Sequence, residues 1–246
     1  MQIIAEITYT CPCNCVFCPI RKLGLKGTMQ LNDYTLMLKV FAEYFDDELA
    51  VVLSGGEPST MHNLRDYVKT AKRIGYTVTI ATNASNPETI VNAEPDLIEV
   101  SIDYMGKRHD INRGVKGLFE KAMRLLDLAD QNGIATVVRA TVVNDNIDDL
   151  IKLKEKLSVP IIAMPVKGVK QLKPSKQQLV KLHEAGVTLS DHCPAGLSSF
   201  VITPQREILA CIFYRKKLGQ FKWFLKSEIE KAVKEGQKLP RFPCEK

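Results

Sequence analysis

Residues 11–18 read Cys-Pro-Cys-Asn-Cys-Val-Phe-Cys, so this short stretch holds four of the seven cysteines of the chain. Cys11, Cys15 and Cys18 have the spacing C-x3-C-x2-C, and Cys13 lies inside the first gap. Thiols this close in sequence rarely pair as disulfides, because the bridge needs a specific geometry of both Cβ atoms. They converge easily on a metal centre, since thiolates are soft ligands. The stretch therefore predicts a metal site built from one loop.

Around this loop, short β-branched runs alternate with longer amphipathic ones. The alternation predicts an α/β fold with a parallel sheet, curved into a partial (β/α)6 barrel like part of a TIM barrel. The loop follows the first strand, at the end of the barrel where βα loops carry the chemistry. The predicted strands are 3–8, 50–53, 77–81, 97–102, 136–143 and 160–164, and the predicted helices are 31–46, 61–74, 86–93, 115–132 and 146–156.

The pattern changes after about residue 168, so we expect a partial barrel over 1–168 and a smaller C-terminal region over 169–246. In that region we expect a helix over 173–183, a β-hairpin formed by 199–203 and 207–212, and a last helix over 224–236. Cys193, Cys211 and Cys244 all lie there.

The bulk composition is that of an ordinary globular protein, with 45% hydrophobic and 25% charged residues among 246. The net charge of +6 is spread along the chain, which does not indicate a nucleic-acid partner. No apolar run approaches the ~20 residues that span a bilayer, and we expect no signal peptide and no membrane partner. An odd number of cysteines without an export signal favours a reducing, cytoplasmic location.

The chemistry of the first cysteine group favours iron and sulfur over zinc. Three thiolates can hold three irons of a 4Fe–4S cluster and leave the fourth iron for an external ligand. Zinc usually takes its ligands from two separated pairs, and here the second pair is missing.

The spacing of Cys11, Cys15 and Cys18, with Phe17 in the aromatic position before the last cysteine, resembles the cluster motif of the radical S-adenosylmethionine (radical SAM) superfamily. Residues Gly55-Gly56-Glu57, after the second strand, are similar to the GGE motif of that family. The resemblance implies that the glycines let the backbone approach S-adenosylmethionine (SAM) closely and that Glu57 accepts from its methionine ammonium.

The ends of the next strands resemble family positions that line the cofactor and substrate pocket. Thr82 and Asn83 follow the third strand, and Ser101 and Asp103 follow the fourth. Ser101 and Asp103 offer partners for a ribose or for substrate, and the alternative is that they cap the following helix. Arg139 could bind the carboxylate of SAM with a forked pair of hydrogen bonds, or form a buried salt bridge in the barrel.

The stretch from Ser101 to Gly114 is similar to the "S-x-D … H-D … R-G" segment of radical SAM enzymes with a SPASM or twitch extension. Tyr104 replaces the small residue common after Asp103, so this loop is expected to differ. For His109, Asp110 and Arg113 we favour a role in ordering the loop over direct catalysis.

The C-terminal region looks like a twitch-type extension in which Cys193, Cys211 and Cys244 bind an auxiliary 4Fe–4S cluster. With three cysteines, either one iron is open, or His192 or Asp191 contributes, or the extension has lost its cluster. A full SPASM set of seven cysteines is excluded by the count.

The resemblance implies an enzyme in which a reduced cluster cleaves SAM to a 5′-deoxyadenosyl radical, which then takes hydrogen from substrate. It also implies an external reductant such as ferredoxin or flavodoxin, and a net oxidation if the auxiliary cluster accepts an electron. The substrate is unidentified, with a peptide or protein preferred, and Cys13 is interpreted as incidental. Two alternatives are an iron–sulfur electron-transfer protein and a metal-binding module for nucleic acid; both leave the GGE and S-x-D segments unexplained.

Overall fold

A computed structural model describes residues 1–45, 48–190 and 193–240. In these ranges, ten strands form one sheet in the order β10-β9-β8-β1-β2-β3-β4-β5-β6-β7. The strands are β1 (Gln2–Thr8), β2 (Ala50–Gly55), β3 (Thr77–Thr82), β4 (Leu97–Ser101), β5 (Ala135–Val142), β6 (Ile161–Pro165), β7 (Thr188–Leu189), β8 (Ser199–Ile202), β9 (Glu207–Leu209) and β10 (Lys217–Gln220).

Helices connect most of the successive parallel strands. They are α1 (Pro19–Lys22), α2 (Leu31–Tyr44), α3 (Leu64–Ile74), α4 (Pro87–Asn92), α5 (Gly106–Arg113), α6 (Leu118–Gln131), α7 (Ile147–Lys156), α8 (Lys176–Glu184) and α9 (Lys226–Gln237). A short 3-10 helix, Pro58–Thr60, follows β2. No helix in the described ranges is long and apolar enough to cross a bilayer.

The sheet has the predicted parallel order. Strands β1 to β7 pair in parallel with their sequence neighbours, so their C-terminal ends all lie at one edge of the sheet. The six predicted strands and five predicted helices are present, with ends that differ by up to three residues. Strands β7 and β10 and helices α1 and α5 were not predicted; β7 has two residues, α1 has four, and α5 is strongly polar.

The predicted hairpin is present as β8 and β9, which pair antiparallel. Strand β8 also pairs in parallel with β1, from Gln2 opposite Ser199 to Ala5 opposite Ile202. The hairpin therefore continues the barrel sheet on the side of β1. The division of the chain at residue 168 stays a prediction.

Alternation along the strands separates two faces. On β1, Ile3, Ala5 and Ile7 belong to the main apolar core with residues of the helices. Because side chains alternate across a strand, Glu6 and Thr8 point to the other face, the barrel interior. Fully burying an isoleucine side chain such as that of Ile3 or Ile7 contributes about 1.5–3 kcal/mol. The interior face carries polar groups instead.

Aromatic side chains attach the C-terminal region to the barrel. The ring of Phe41 on α2 lies 6.0 Å from the rings of both Phe200 on β8 and Phe221 after β10. Phe41, Phe200 and Phe221 are almost completely buried. This cluster ties elements that are far apart in sequence.

Candidate functional site

The cysteine loop lies between β1 and α1, at the C-terminal edge of the sheet as predicted. Cys15 is buried with 8% of its surface exposed, whereas Cys11 is exposed and Cys13 and Cys18 are half-buried. The loop therefore presents its sulfurs at different depths around the mouth of the barrel.

Hydrogen bonding among the thiols separates their acidities. Hydrogen bonding with Cys13 lowers the pKa of Cys11 and also lowers the pKa of Cys15 to about 7, against burial and with help from Arg113. The same bonds raise the pKa of Cys13. Burial raises the pKa of Cys18. Thiolate is the form that binds metal, so Cys11 and Cys15 are the most readily available ligands of the four.

Two glycines let the end of β2 lie directly against this loop. Gly56 N–H donates to Thr8 O at 2.6 Å, and Glu57 N–H donates to Thr10 O at 2.8 Å. A Cβ at Gly55 or Gly56 would lie less than 3.0 Å from backbone atoms of Thr8 or Thr10. Gly55 also has a φ of +114°, which side chains rarely allow. The glycine pair is thus required by the close approach of two backbones.

Glu57 joins the ends of β2 and β3. Its carboxylate, 1% exposed, accepts from Thr82 Oγ1 at 2.6 Å, Asn83 N at 2.7 Å and Ser59 N at 3.0 Å. Burial raises the pKa of Glu57, and these donors oppose the rise. Glu57 and Thr82 are therefore committed to holding the strand ends, and the expected contact of Glu57 with the SAM ammonium stays a prediction.

Asn83 turns from this junction toward the cysteine loop. Its Nδ2 lies 3.1 Å from Cys13 Sγ and 3.5 Å from Cys11 Sγ. Its Oδ1 accepts from Ser85 N at 2.9 Å. The third strand end and the cysteine loop are thus in direct contact.

Asp103 is completely buried and has four donors. Its Oδ2 accepts from Arg113 Nε at 3.0 Å, Arg113 Nη2 at 2.7 Å and Asn112 Nδ2 at 3.2 Å, and its Oδ1 accepts from Thr141 N at 2.8 Å. Burial alone would lower the pKa of Arg113, but Asp103 and the nearby Cys15 raise it. These bonds give Asp103 a structural part in joining β4, α5 and β5; its expected contact with ribose or substrate stays a prediction.

The H-D … R-G residues order the loop, as interpreted from the sequence. Asp110 accepts from Gly117 N at 2.6 Å and Phe119 N at 2.9 Å, which satisfies N–H groups at the start of α6. His109 Nδ1 accepts from Asp103 N at 3.2 Å, and burial lowers the pKa of His109 to about 4. His109 is therefore neutral near pH 7.

The same segment supports the cysteine loop from behind. Arg113 O accepts from Asn14 N at 2.7 Å. A Cβ at Gly114 would lie 2.9 Å from the Asn14 Cβ, and Gly114 has a φ of +71°. The segment that resembles the twitch enzymes thus acts here as a support for residues 11–18.

Ser101 and Arg139 lie opposite each other on β4 and β5, facing the barrel interior. Arg139 Nε is 3.6 Å from Glu99 Oε2, and both side chains keep part of their surface exposed. Burial raises the pKa of Glu99, and Arg139 opposes the rise. The salt bridge that the sequence left as an alternative for Arg139 is therefore present, as a long contact with Glu99. Among the described residues, other N–H donors of the guanidinium remain for a carboxylate.

Sequence reasoning missed an ion pair inside the barrel. Arg215, in the loop that follows Cys211, donates to Glu6 Oε1 at 2.6 Å and Glu6 Oε2 at 3.0 Å. Tyr9 OH donates to the same carboxylate at 2.7 Å, and burial first and Glu6 second raise the pKa of Tyr9. The sequence signal for this ion pair was Glu6, a glutamate within an otherwise mostly apolar strand. The pair connects the C-terminal region to the base of the cysteine loop.

An apolar patch contacts the cysteine loop at Phe17. Phe17 packs against a small buried cluster of Tyr104, Val143, Val166 and Val169. Beside it lies a cavity of about 280 Å³ whose lining includes Phe17, Lys22, Phe213 and Tyr214. The Tyr104 hydroxyl donates to Asp145 Oδ1 at 2.6 Å, which fixes the ring in this patch.

Cys193 and Cys211 flank the hairpin. Cys193 is two residues before Ala195, which bridges to Ser199 at the start of β8, and Cys211 is two residues after β9. Both thiols are free and half-buried. Cys244 lies outside the described residues, as do Asp191 and His192.

In the described part of the chain, no three His, Cys, Asp or Glu side chains are arranged to hold a single metal ion. That geometry is what a zinc site would require. A 4Fe–4S cluster differs, because each cysteine ligates a different iron and the sulfurs need not converge on one point. Three thiols on one loop against a glycine-lined backbone therefore suit a cluster better than a single ion.

The sequence of the chain matches the model of the radical SAM superfamily over residues 5–157. It is 30% identical over 169 residues to PqqA peptide cyclase of Rhizobium meliloti, covering 64% of this chain and 44% of that protein. It is 25% identical over 228 residues to Fe-coproporphyrin III synthase of Methanosarcina barkeri, covering 78% and 56%. The chain thus spans about half the length of these curated relatives.

Solved structures share the fold. The structure of native anSMEcpe with bound AdoMet superposes with a TM-score of 0.74 at 15% identity, covering 96% of this chain and 81% of that one. Streptococcus suis SuiB bound to S-adenosylmethionine gives 0.72 at 14% identity, covering 87% and 60%. These likenesses agree with the predicted partial barrel.

Proposed function

The chain belongs to the radical SAM superfamily, and from this premise we propose that it cleaves SAM reductively and takes hydrogen from a substrate held in its barrel. One observation supports the proposal most: the ends of β2 and β3 and the C-terminal end of α5 meet at the cysteine loop. Gly55-Gly56 lies against the loop backbone, Asn83 contacts two of its sulfurs, and Arg113 with Gly114 supports it after the fourth strand. Membership of the family implies a 4Fe–4S cluster and SAM.

In this proposal Cys11, Cys15 and Cys18 hold the cluster. When bound, a 4Fe–4S cluster supplies the electron that breaks the sulfur–C5′ bond of SAM, which yields methionine and a 5′-deoxyadenosyl radical. The residues of the chain position SAM and exclude water. Gly55 and Gly56 contribute by holding the end of β2 against the backbone of the cysteine loop.

Side chains at the next strand ends orient SAM. Arg139 has donors left over from its loose contact with Glu99, so it can bind a carboxylate in a fork. Ser101 lies opposite Arg139 and offers a hydroxyl at the same depth. Thr82 and Asp103 act through the neighbours that they hold, Glu57 and Arg113.

For the substrate we favour a peptide or protein. One relative is a peptide cyclase, another is the Bacillus subtilis SkfB maturation protein, and SuiB has been solved with a precursor peptide. In this proposal the cavity beside Phe17, which is lined by residues that follow β1, β6 and β9, receives part of an extended chain. Relatives named as haem-related synthases make a porphyrin-type substrate the second candidate.

We also propose a twitch-type auxiliary 4Fe–4S cluster bound by Cys193, Cys211 and Cys244. The support is the hairpin between the first two cysteines and the half-buried, free state of both thiols. Its presence would allow a net oxidation. In this proposal an external reductant such as a ferredoxin or flavodoxin supplies the electron. Cysteines that stay reduced favour a cytoplasmic location for the protein.

Anaerobic reconstitution tests these assignments. We expect dithionite-dependent release of 5′-deoxyadenosine from SAM by the wild-type chain, with about eight irons per chain if both clusters form and about four if only the first does. Failure to release 5′-deoxyadenosine from a chain that carries its cluster would contradict the proposed function. A set of deuterated peptides, with deuterium transfer into 5′-deoxyadenosine as the readout, tests the substrate class.

A further inference from the structure

The side-chain amide of Asn83 is aimed at sulfur. Asn83 is 5% exposed, and its Nδ2 donates to Cys13 Sγ at 3.1 Å and to Cys11 Sγ at 3.5 Å. A buried amide usually donates to oxygen, because oxygen is the stronger acceptor. Among the described residues, only these two sulfurs accept from this NH2 group. The contact is therefore specific to the cysteine loop.

Three other hydrogen bonds fix the orientation of this amide. Asn83 Oδ1 accepts from Ser85 N at 2.9 Å and also from Ser85 Oγ. Asn83 N donates to the buried Glu57 Oε2 at 2.7 Å. Rotating the amide by 180° would place its NH2 against the N–H of Ser85, so only one orientation satisfies both ends. The donor is thus preorganised before any cluster binds.

A hydrogen-bond donor held in one orientation stabilises negative charge on its acceptor. A reduced cluster carries one more negative charge than the oxidised one, and an N–H···S bond to a ligand sulfur stabilises the more negative state more. Hydrogen bonds to the sulfurs are among the features that set the potential of an iron–sulfur cluster. The donor end of this bond is buried with Asn83, where the local dielectric is low, whereas the Cys11 end is exposed.

We propose that Asn83 raises the reduction potential of the cluster held by Cys11, Cys15 and Cys18, through its hydrogen bond to Cys11. This inference rests on the proposed function, because it requires the cluster. The second hydrogen of the amide holds Cys13, which keeps that spare thiol turned toward Asn83. Asn83 is therefore a positioning residue for the electron-transfer step.

The test is a potentiometric titration, followed by EPR, of the reconstituted full chain without SAM. Asn83→Ala removes the donor, and we expect a more negative midpoint potential, of the order of a tenfold change in the reduction equilibrium, or about 59 mV for one electron. Asn86→Ala is the matched control, because its amide lies on the same loop but donates to Ser59 O. It should leave the potential unchanged.

A second pair of variants tests whether the shift in potential comes from the hydrogen bond to Cys11 or from the one to Cys13. The shift caused by Asn83→Ala should persist in a Cys13→Ala background. An unchanged potential in Asn83→Ala, or a shift that disappears with Cys13, would overturn the inference. So would an Asn83→Ala chain that folds but binds no iron, since Asn83 would then serve cluster assembly.

If Asn83→Ala does not fold, the same potentiometric titration is done on Ser85→Ala. It keeps the amide but removes the hydroxyl that helps fix Oδ1, so we expect a smaller shift in the same direction, and no shift would overturn the inference. A wild-type chain that binds no 4Fe–4S cluster would instead overturn the proposed function, which keeps the two failures distinct.

Discussion

Single residues at this site mostly hold other residues in place. Glu57 and Asp103 are predicted from the sequence as cofactor- or substrate-binding carboxylates, yet each accepts hydrogen bonds from backbone or side-chain donors nearby. Sequence reasoning placed Glu57 and Asp103 just after strands β2 and β4 but could not assign their partners. Those partners come from other strands and loops, and the pairing depends on the folded geometry.

The buried pair of Arg113 and Asp103 gives a stability prediction. Arg113→Met leaves the Asp103 carboxylate buried with two fewer donors, and breaking such a pair typically costs about 3–5 kcal/mol. Urea unfolding measures it. Arg124→Met removes an arginine from the exposed pair with Glu88 and should leave the free energy of unfolding nearly unchanged. Equal effects of the two variants would contradict this account.

His109 predicts a pH dependence. Burial holds the pKa of His109 at about 4 in the folded state, below its ordinary 6.5, so the unfolded chain binds more protons between these values. The contribution is fully present above pH ~6.5 and is lost toward pH ~4, at up to about 1.4 kcal/mol per pH unit. His109→Gln should flatten the dependence of unfolding free energy on pH in this window. An identical slope in both proteins would contradict the buried neutral state.

At the scale of elements, the strand ends form the site. The end of β2 can touch the loop after β1 only because residues 55 and 56 have no side chains. The family resemblance implied that this Gly-Gly pair serves a close approach to SAM, whereas the structure has the backbone of Thr8 and Thr10 against it. The sequence did not predict α5, whose polar surface hides its periodicity and whose C-terminal Arg113 and Gly114 support the loop.

Gly56→Ala tests the approach of β2 to the cysteine loop. The added Cβ would collide with the backbone at Thr10, and the loop must shift away from the strand. We expect a several-fold loss of iron after reconstitution. Gly219→Ala is the control, because its Cβ would meet its nearest neighbour at an ordinary 3.4 Å. Normal iron content in Gly56→Ala would mean that the close approach is not needed.

Across the whole molecule, the contacts that join the C-terminal region to the barrel include the pairing of β8 with β1, the aromatic cluster around Phe41, and the pair of Arg215 and Glu6. Composition and periodicity predicted the barrel because its strands are short β-branched runs separated by amphipathic helices. They could not predict these three contacts, because each connects residues more than 150 positions apart in the sequence.

Arg215→Ala tests the connection inside the barrel. The Glu6 carboxylate would stay buried without its main partner, so we expect about 3–5 kcal/mol of destabilisation and faster labelling of the Cys211 thiol by an alkylating reagent. Arg206→Ala, which breaks a more exposed pair with Asp33, is the control and should leave the labelling rate unchanged. Unchanged labelling in Arg215→Ala would show that this pair does not hold the Cys211 loop.

The central claim is that Cys11, Cys15 and Cys18 hold a cluster that cleaves SAM. The most direct measurement compares Cys15→Ala with Cys13→Ala after anaerobic reconstitution, following dithionite-dependent release of 5′-deoxyadenosine. We expect that Cys15→Ala releases no 5′-deoxyadenosine and that Cys13→Ala keeps the activity within a few-fold of wild type. Continued cleavage by Cys15→Ala, with Cys13→Ala inactive, would contradict the central claim.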